Sequence, residues 1–142
     1  MRVKDGAIVL SLGDSLTGIT WTEDFPRNNY ELYLEAQRIQ GSDFFCGLTF
    51  PVGDSFCSLI VGGWAGTVVG ISSLDGLDAS ENETSRLRRF ENGRWYEVRL
   101  RVSQSRIKAW IDDELFVDLL IGGRSLDVRP EMRLSRPCLL YT

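Results

Sequence analysis

From Phe90 to Leu119 the chain reads FENGRWYEVRLRVSQSRIKAWIDDELFVDL, and apolar side chains recur at every second position. Tyr96, Val98, Leu100 and Val102 alternate with Trp95, Glu97, Arg99 and Arg101. A turn at Ser103-Gln104-Ser105 leads to Ile107, Ala109 and Ile111, and Asp112-Asp113 is a tight turn into Leu115 to Leu119. A period of two puts one set of residues on one face of a strand and the other set on the opposite face. Three successive strands joined by short turns must lie antiparallel.

The same period recurs upstream. Tyr30, Leu32, Leu34 and Ala36 share one side of a strand that carries Glu31, Tyr33, Glu35 and Gln37 on the other. Phe44 to Pro51 and Phe56 to Gly62 form a hairpin around Pro51-Val52-Gly53-Asp54-Ser55. Setting Phe50 opposite Cys57 places Leu48 opposite Leu59 and Cys46 opposite Val61, all on a core face. The other face then carries Phe45, Gly47, Thr49, Ser58, Ile60 and Gly62 and continues toward Trp64. Its small residues leave room for a covering loop or for a ligand.

Ala7 to Leu12, Ser15 to Trp21, Thr67 to Ser72 and Arg86 to Phe90 read as further short strands. Met132 to Leu134 and Cys138 to Tyr141 read as short extended pieces. Asp75 to Thr84 is a polar loop in which Asp78 or Ser80 could cap a helical turn. Many short strands with glycine and polar turns, and no long helix, indicate one antiparallel β-sandwich or barrel over residues 1–142. The chain stops at Leu139-Leu140-Tyr141-Thr142 within a strand pattern, so a missing strand partner is expected there.

Charge and composition exclude several classes. There are 16 basic and 20 acidic residues, net −4, which argues against nucleic acid as partner. The cluster Arg86, Arg88, Arg89 reads as a solvated strand face. No apolar run is long enough to span a bilayer, so no membrane is expected. The apolar run after Met1-Arg2-Val3-Lys4 is too short for a signal-peptide core and reads as a first strand. Export within a longer parent chain stays open, and the compartment is not specified. Three cysteines without a CxxC spacing read as buried thiols. The chain contains no histidine, which removes Ser-His-Asp and Cys-His catalysis. Acid–base work must fall to carboxylates, Tyr, Lys or Cys, or to a divalent metal held by oxygen ligands.

Asn92 to Leu119, with Trp95 opening a strand and the AWIDDELFVDL hairpin, resembles the strand signature of concanavalin-A-like lectin/glucanase sandwiches. More narrowly, it resembles the 3-keto-disaccharide hydrolase family. NYELYLEAQR (Asn29 to Arg38) and FFCGLTFPVGDSFCSLIVGGW (Phe44 to Trp64) carry the same resemblance. The likeness implies a jelly-roll β-sandwich, without the family's final strand, and a carbohydrate substrate. Pro51 stands where many members have arginine, and FCSLIVGGW lacks the carboxylate and amide of the family's next strand.

The chemistry so implied starts from a ketone at C3 of a sugar, which acidifies the proton on C2. A base removes it, the oxygen on C1 leaves, and water adds back. The carboxylates expected to serve are Glu35, beside Glu31, and Asp75, beside Asp78. Trp64, Tyr33 and Trp110 are the candidate sugar contacts, since aromatic faces pack on the apolar side of a sugar ring. Trp110 either lines the concavity of Trp64 or covers the second sheet, and Trp95 reads as a strand-opening anchor. Asn82-Glu83-Thr84 matches a glycosylation acceptor, a pattern common by chance. Three readings stay open: a hydrolase of 3-keto-glycosides, a non-catalytic carbohydrate-binding module, and a structural or interaction sandwich. An exposed strand edge would favour a homodimer.

Overall fold

The computed structural model describes residues 1–13, 17–130 and 139–141, the last three by their backbone. Ser15 and Leu16 of the second expected strand, Met132 to Leu134 and Cys138 lie outside the described residues. The strands are β1 (Arg2–Lys4), β2 (Ala7–Val9), β3 (Gly18–Thr20), β4 (Tyr30–Gln37), β5 (Cys46–Val52), β6 (Ser55–Gly62), β7 (Val68–Ser72), β8 (Arg86–Leu87), β9 (Trp95–Val102), β10 (Arg106–Ile111), β11 (Glu114–Leu120) and β12 (Leu139–Tyr141). They make an antiparallel β-sandwich. One sheet has the order β11-β10-β9-β4 and the other β3-β12-β5-β6-β7-β8, with β1-β2 a separate pair. β12 is hydrogen-bonded to β3 on one side and β5 on the other.

The quoted run forms β9, β10 and β11 as its alternation requires. Tyr96, Val98, Leu100 and Val102 are buried against Ile107, Ala109 and Ile111, while Glu97 and Arg101 are exposed. Asp112 and Asp113 both take positive φ, 50° and 63°, the turn that matches the twist of a two-residue hairpin. The β5–β6 pairing follows the expected register, Phe50 to Cys57, Leu48 to Leu59 and Cys46 to Val61, and all six enter the main core. Cys46 and Cys57 are free and fully buried. Burial pushes the Cys46 thiol up to about 12 and the Cys57 thiol higher still.

Three local expectations are corrected. Trp95 is no anchor: its side chain lies on the solvent face, 51% exposed. Only Arg86–Leu87 of the Arg86 to Phe90 strand pairs. Phe45 turns into the main core, packing on Phe90 and Tyr96 at centroid distances of 5.3 and 5.8 Å. It lies ahead of the first paired residue of β5, so the alternation of that strand does not bind it.

The outer face of β5 and β6 is closed by chain. Thr49 and Ser58 are fully buried and share a 2.7 Å hydroxyl–hydroxyl hydrogen bond, and Ile60 packs with Phe56, Val68, Ala79 and Val128 in a second apolar cluster. The loop after β7 lies back on that strand: Thr84 Oγ1 accepts from the Ile71 N–H, and Ser72 Oγ from the Ala79 N–H. A Cβ at Gly70 would stand 3.0 Å from Thr84 Oγ1 and 3.2 Å from Ala79, so glycine admits the loop. Asn82 staples it, its Nδ2 donating to the carbonyls of Ile71, Leu77 and Asp78 while its Oδ1 accepts from Thr84 N. That engaged amide is a structural tie rather than a glycan acceptor. Of the two uses open to the small residues on this face, the covering loop is realised.

Candidate functional site

The cover gives out at the end of β6, where Gly62-Gly63-Trp64-Ala65-Gly66 makes one tight turn closed by the Thr67 N–H on Gly63 O at 3.1 Å. Gly62 has φ +75°, and a Cβ there would press on Phe45 at 3.2 Å. Gly66 has φ +93°, and its Cβ would lie 2.2 Å from Ser42 O. Between them Trp64 (φ 46°, ψ 71°) and Ala65 (φ 64°, ψ 28°) are forced into the left-handed region. Such residues cost about 1–3 kcal/mol each and persist only where surrounding structure dictates them. The strain has a visible result: the indole of Trp64 is presented at the surface, 36% exposed, instead of folding into either core.

Trp64 forms one wall of a cleft of about 260 Å³ with Asp43, Phe44, Ile60, Gly63 and Arg129. Ile60 belongs to the second cluster, so the cleft lies on the outer side of the six-stranded sheet. The Arg129 guanidinium sits 5.4 Å from the Trp64 ring centroid, a cation–π contact. Asp43 Oδ1 accepts from the Phe44 N–H at 2.8 Å. Arg38 fixes this rim: its Nη1 donates to Asp43 O, its Nη2 to Phe90 O and its Nε to Asn92 Oδ1. Among the described residues the cleft thus combines an aromatic platform, an apolar floor, one carboxylate and one guanidinium, the mixture expected of a small-molecule site.

The other expected residues stand elsewhere. Tyr33, Glu35 and Trp110 lie on the outer face of the four-stranded sheet, across the main core from Trp64. Trp110 therefore covers the second sheet and does not share the concavity of Trp64. Its ring is overlaid by Arg99 at 4.2 Å and Arg101 at 5.3 Å. Tyr33 is 60% exposed, and Glu35 faces Glu97 across the β4–β9 pair. Partial desolvation, followed by the negative charge of Glu35 and Glu97, raises the Tyr33 hydroxyl above its ordinary pKa. Glu31 is paired with Arg101 at 3.0 Å and Arg99 at 3.6 Å.

Asp75 is in a third place. Its Oδ2 accepts from Arg124 Nε at 2.7 Å and its Oδ1 from Ser125 N at 2.8 Å. The Ser125 N–H and then Arg124 hold its carboxyl below the usual range, so it is a weak base with both oxygens engaged. A cleft of about 370 Å³ beside Arg124 is lined by Asn28, Gly53, Ser55 and Gln104 but offers no aromatic ring. Among the described residues, no three Asp, Glu or Cys side chains converge to hold a metal, so the divalent-metal expectation finds no fitting ligand set there. Among the described residues, no helix is long and apolar enough to cross a membrane.

Asp43, Arg129 and Arg38 had no sequence signal of their own. Asp43 sits in a Gly-Ser-Asp turn and Arg129 in a Val-Arg-Pro loop. Only the Gly-Gly-Trp run pointed to this end of the sheet.

Comparison with family models matches residues 2–126 to one described as the 3-keto-alpha-glucoside-1,2-lyase-like domain. No curated protein and no solved structure matches the chain.

Proposed function

Because this chain belongs to the family of 3-keto-alpha-glucoside-1,2-lyase-like domains, we propose that its carbohydrate-related role is exercised in the Trp64 cleft, on a glycoside carrying a 3-keto group. The presentation of Trp64 from a strained, glycine-locked turn beside Asp43 and Arg129 is what supports this site over the others. The apolar face of the sugar ring stacks on the indole. Among the described residues Asp43 is the one carboxylate lining the cleft, and it would take the C2 proton. The electron pair passes to the C3 oxygen as an enolate beside the Arg129 guanidinium. Collapse of the enolate expels the C1 oxygen and leaves the unsaturated ketone. Water then adds at C1 and a proton returns to C2, so the net change is hydrolysis.

The test is sugar release from a 3-keto disaccharide, with tryptophan fluorescence followed in the same cuvette. Release abolished by Asp43→Asn, with binding retained, supports the reading. Release that survives Asp43→Asn but is lost in Glu35→Gln would move the chemistry to the four-stranded sheet. Trp64→Ala should abolish the fluorescence response and leave folding intact. A second reading, a non-catalytic carbohydrate-binding module, is favoured by the exposed Trp64 indole, a stacking face that holds a sugar without any catalytic base. A fluorescence response without release selects it.

A further inference from the structure

Independently of the cleft, we infer that two copies of this chain associate by adding the β1–β2 hairpin of one copy to the β4 edge of the other. β4 is the last strand of its sheet, paired with β9 on one side and, among the described residues, with no strand on the other. It is eight residues long. An unprotected edge of that length invites pairing, and proteins usually blunt one with proline, a bulge or inward charge. β4 has none of these: its register with β9 is unbroken, and its inward residues are Tyr30, Leu32, Leu34 and Ala36.

Those inward residues are only half-buried, whereas their neighbours on β9 (Tyr96, Val98, Leu100 and Val102) are at most 1% exposed. Among the described residues the core is less covered at this edge than at β9, with Phe25 packing edge-on against Tyr30 at its first position. The two sheets also differ in width in the same place. β4 lies over β5, since Tyr30 Oη donates to Pro51 O and Gly53 N to Arg27 O. The six-stranded sheet continues past β5 by two strands, β12 and β3.

The β1–β2 hairpin is the complementary piece. It is a two-stranded sheet of its own, a unit marginal in water without something to pack on. Val3 pairs with Ile8 and both are exposed, at 76% and 52%. Arg2 and Lys4 occupy the other face of β1. Laid antiparallel on β4 with Val3 beside Leu34, β1 would put Arg2 opposite Glu35 and Lys4 opposite Tyr33, one diagonal step from Glu31. Apolar residues then meet the half-buried edge of the core, and the basic pair meets the two carboxylates on the outer face of β4, Glu35 and the Glu31 that Arg101 also engages. Reciprocal exchange gives a two-fold dimer with two equivalent junctions.

Sedimentation equilibrium of the 142-residue chain should show a dimer. Val3→Glu on the arm should abolish it, and so should Glu31→Lys with Glu35→Lys on the edge, each keeping the native circular-dichroism spectrum. Adding Arg2→Glu and Lys4→Glu to the edge variant should restore the dimer by reversing both signs. A Val3→Cys/Leu34→Cys variant should crosslink between copies and run at twice the chain mass. A monomer at every concentration overturns the inference. So does a dimer indifferent to both sets of changes, or a crosslink formed within one chain, which would mean that the arm covers its own edge.

Discussion

Neighbouring residues in the four-stranded sheet live in different media. Tyr96 is fully buried and Trp95 beside it is half-exposed; Leu100 is buried and Arg101 is in water. In the central strands of the six-stranded sheet the contrast vanishes. Every residue of β5 and β7, and all of β6 after Ser55, is buried on one face by the main core and on the other by loops. The first sheet uses its outer face as a solvated surface. The second encloses the outer face of its central strands β5, β6 and β7, and the Trp64 turn stands where that cover ends. A site on the second sheet is therefore a gap in a cover, shaped by the loops that stop short of it. A site on the first would have to be built on a flat, charge-paired surface.

The sharpest way to break that comparison is truncation at adjacent positions. Leu100→Ala should cost about 2–5 kcal/mol, and Arg101→Ala next to it no more than about 0.5. In the other sheet Leu59→Ala and Ile60→Ala should both fall in the range of about 2–5 kcal/mol, because Ile60 is 3% exposed although it faces away from the main core. Urea unfolding midpoints at constant slope would read this. A cheap Ile60→Ala would mean that the cover over the outer face is loose and that the contrast between the sheets is overstated.

A comparable contrast separates two glycines. Gly66 combines φ +93° with a Cβ position 2.2 Å from Ser42 O, so Gly66→Ala carries both left-handed strain and a backbone clash and should cost about 2–5 kcal/mol. Gly93, at φ +80° with nothing within 4 Å of its Cβ position, should lose only about 1–2 kcal/mol on the same change. Gly66→Ala should also weaken the sugar binding proposed for the cleft, since the turn it locks presents Trp64. Equal costs at the two positions would remove the case for a rigid Trp64 platform.

These contrasts also explain what the sequence disclosed. Clean alternation at Tyr96 to Val102 and Tyr30 to Gln37 exists because one face meets water, so the four-stranded sheet was legible from periodicity alone. The β5–β6 register was legible too, because a slip would have moved Cys46, Leu48 and Phe50 off the core face. Burial on both faces erases that pattern, which is why the outer face of Thr49, Ser58 and Ile60 read equally well as loop cover or ligand space. The candidate site was legible only in Trp64. Asp43 and Arg129 are far apart in sequence and meet through loop paths that no period encodes. Glu35 and Asp75 were drawn by their residue type, and type does not reveal that Asp75 is tied to Arg124.

The buried hydroxyl pair probes the cover with a smaller effect. Thr49→Val removes the 2.7 Å hydroxyl–hydroxyl bond to Ser58 and should cost about 0.5–1.5 kcal/mol. Adding Ser58→Ala should cost less than the sum of the two single changes, because both sever the same bond. Fully additive costs would mean that the two hydroxyls act independently of each other.

The smallest expected effect lies where that cover is fastened from outside, at Asp75. Its bonds to Ser125 N and Arg124 tie the loop after β7 to the segment after β11, and the native carboxyl is held below its ordinary value. A lowered native pKa means that the folded protein binds fewer protons than the unfolded chain in the acid range. The contribution is complete above the unfolded carboxylate value of about 3.9 and is lost as pH falls through the native one. Wild type and Asp75→Asn should therefore show a constant gap in unfolding midpoint from neutral pH down to about 5, and the gap should close on further acidification. Because the pair is exposed, high salt should narrow the gap at every pH. Parallel curves through the whole acid range would show that the Asp75 carboxylate fastens nothing, and that the loop is held by Asn82, Thr84, the Ala79 cluster and the backbone bonds of Ser73 and Asp75 to Asp127 and Ser125.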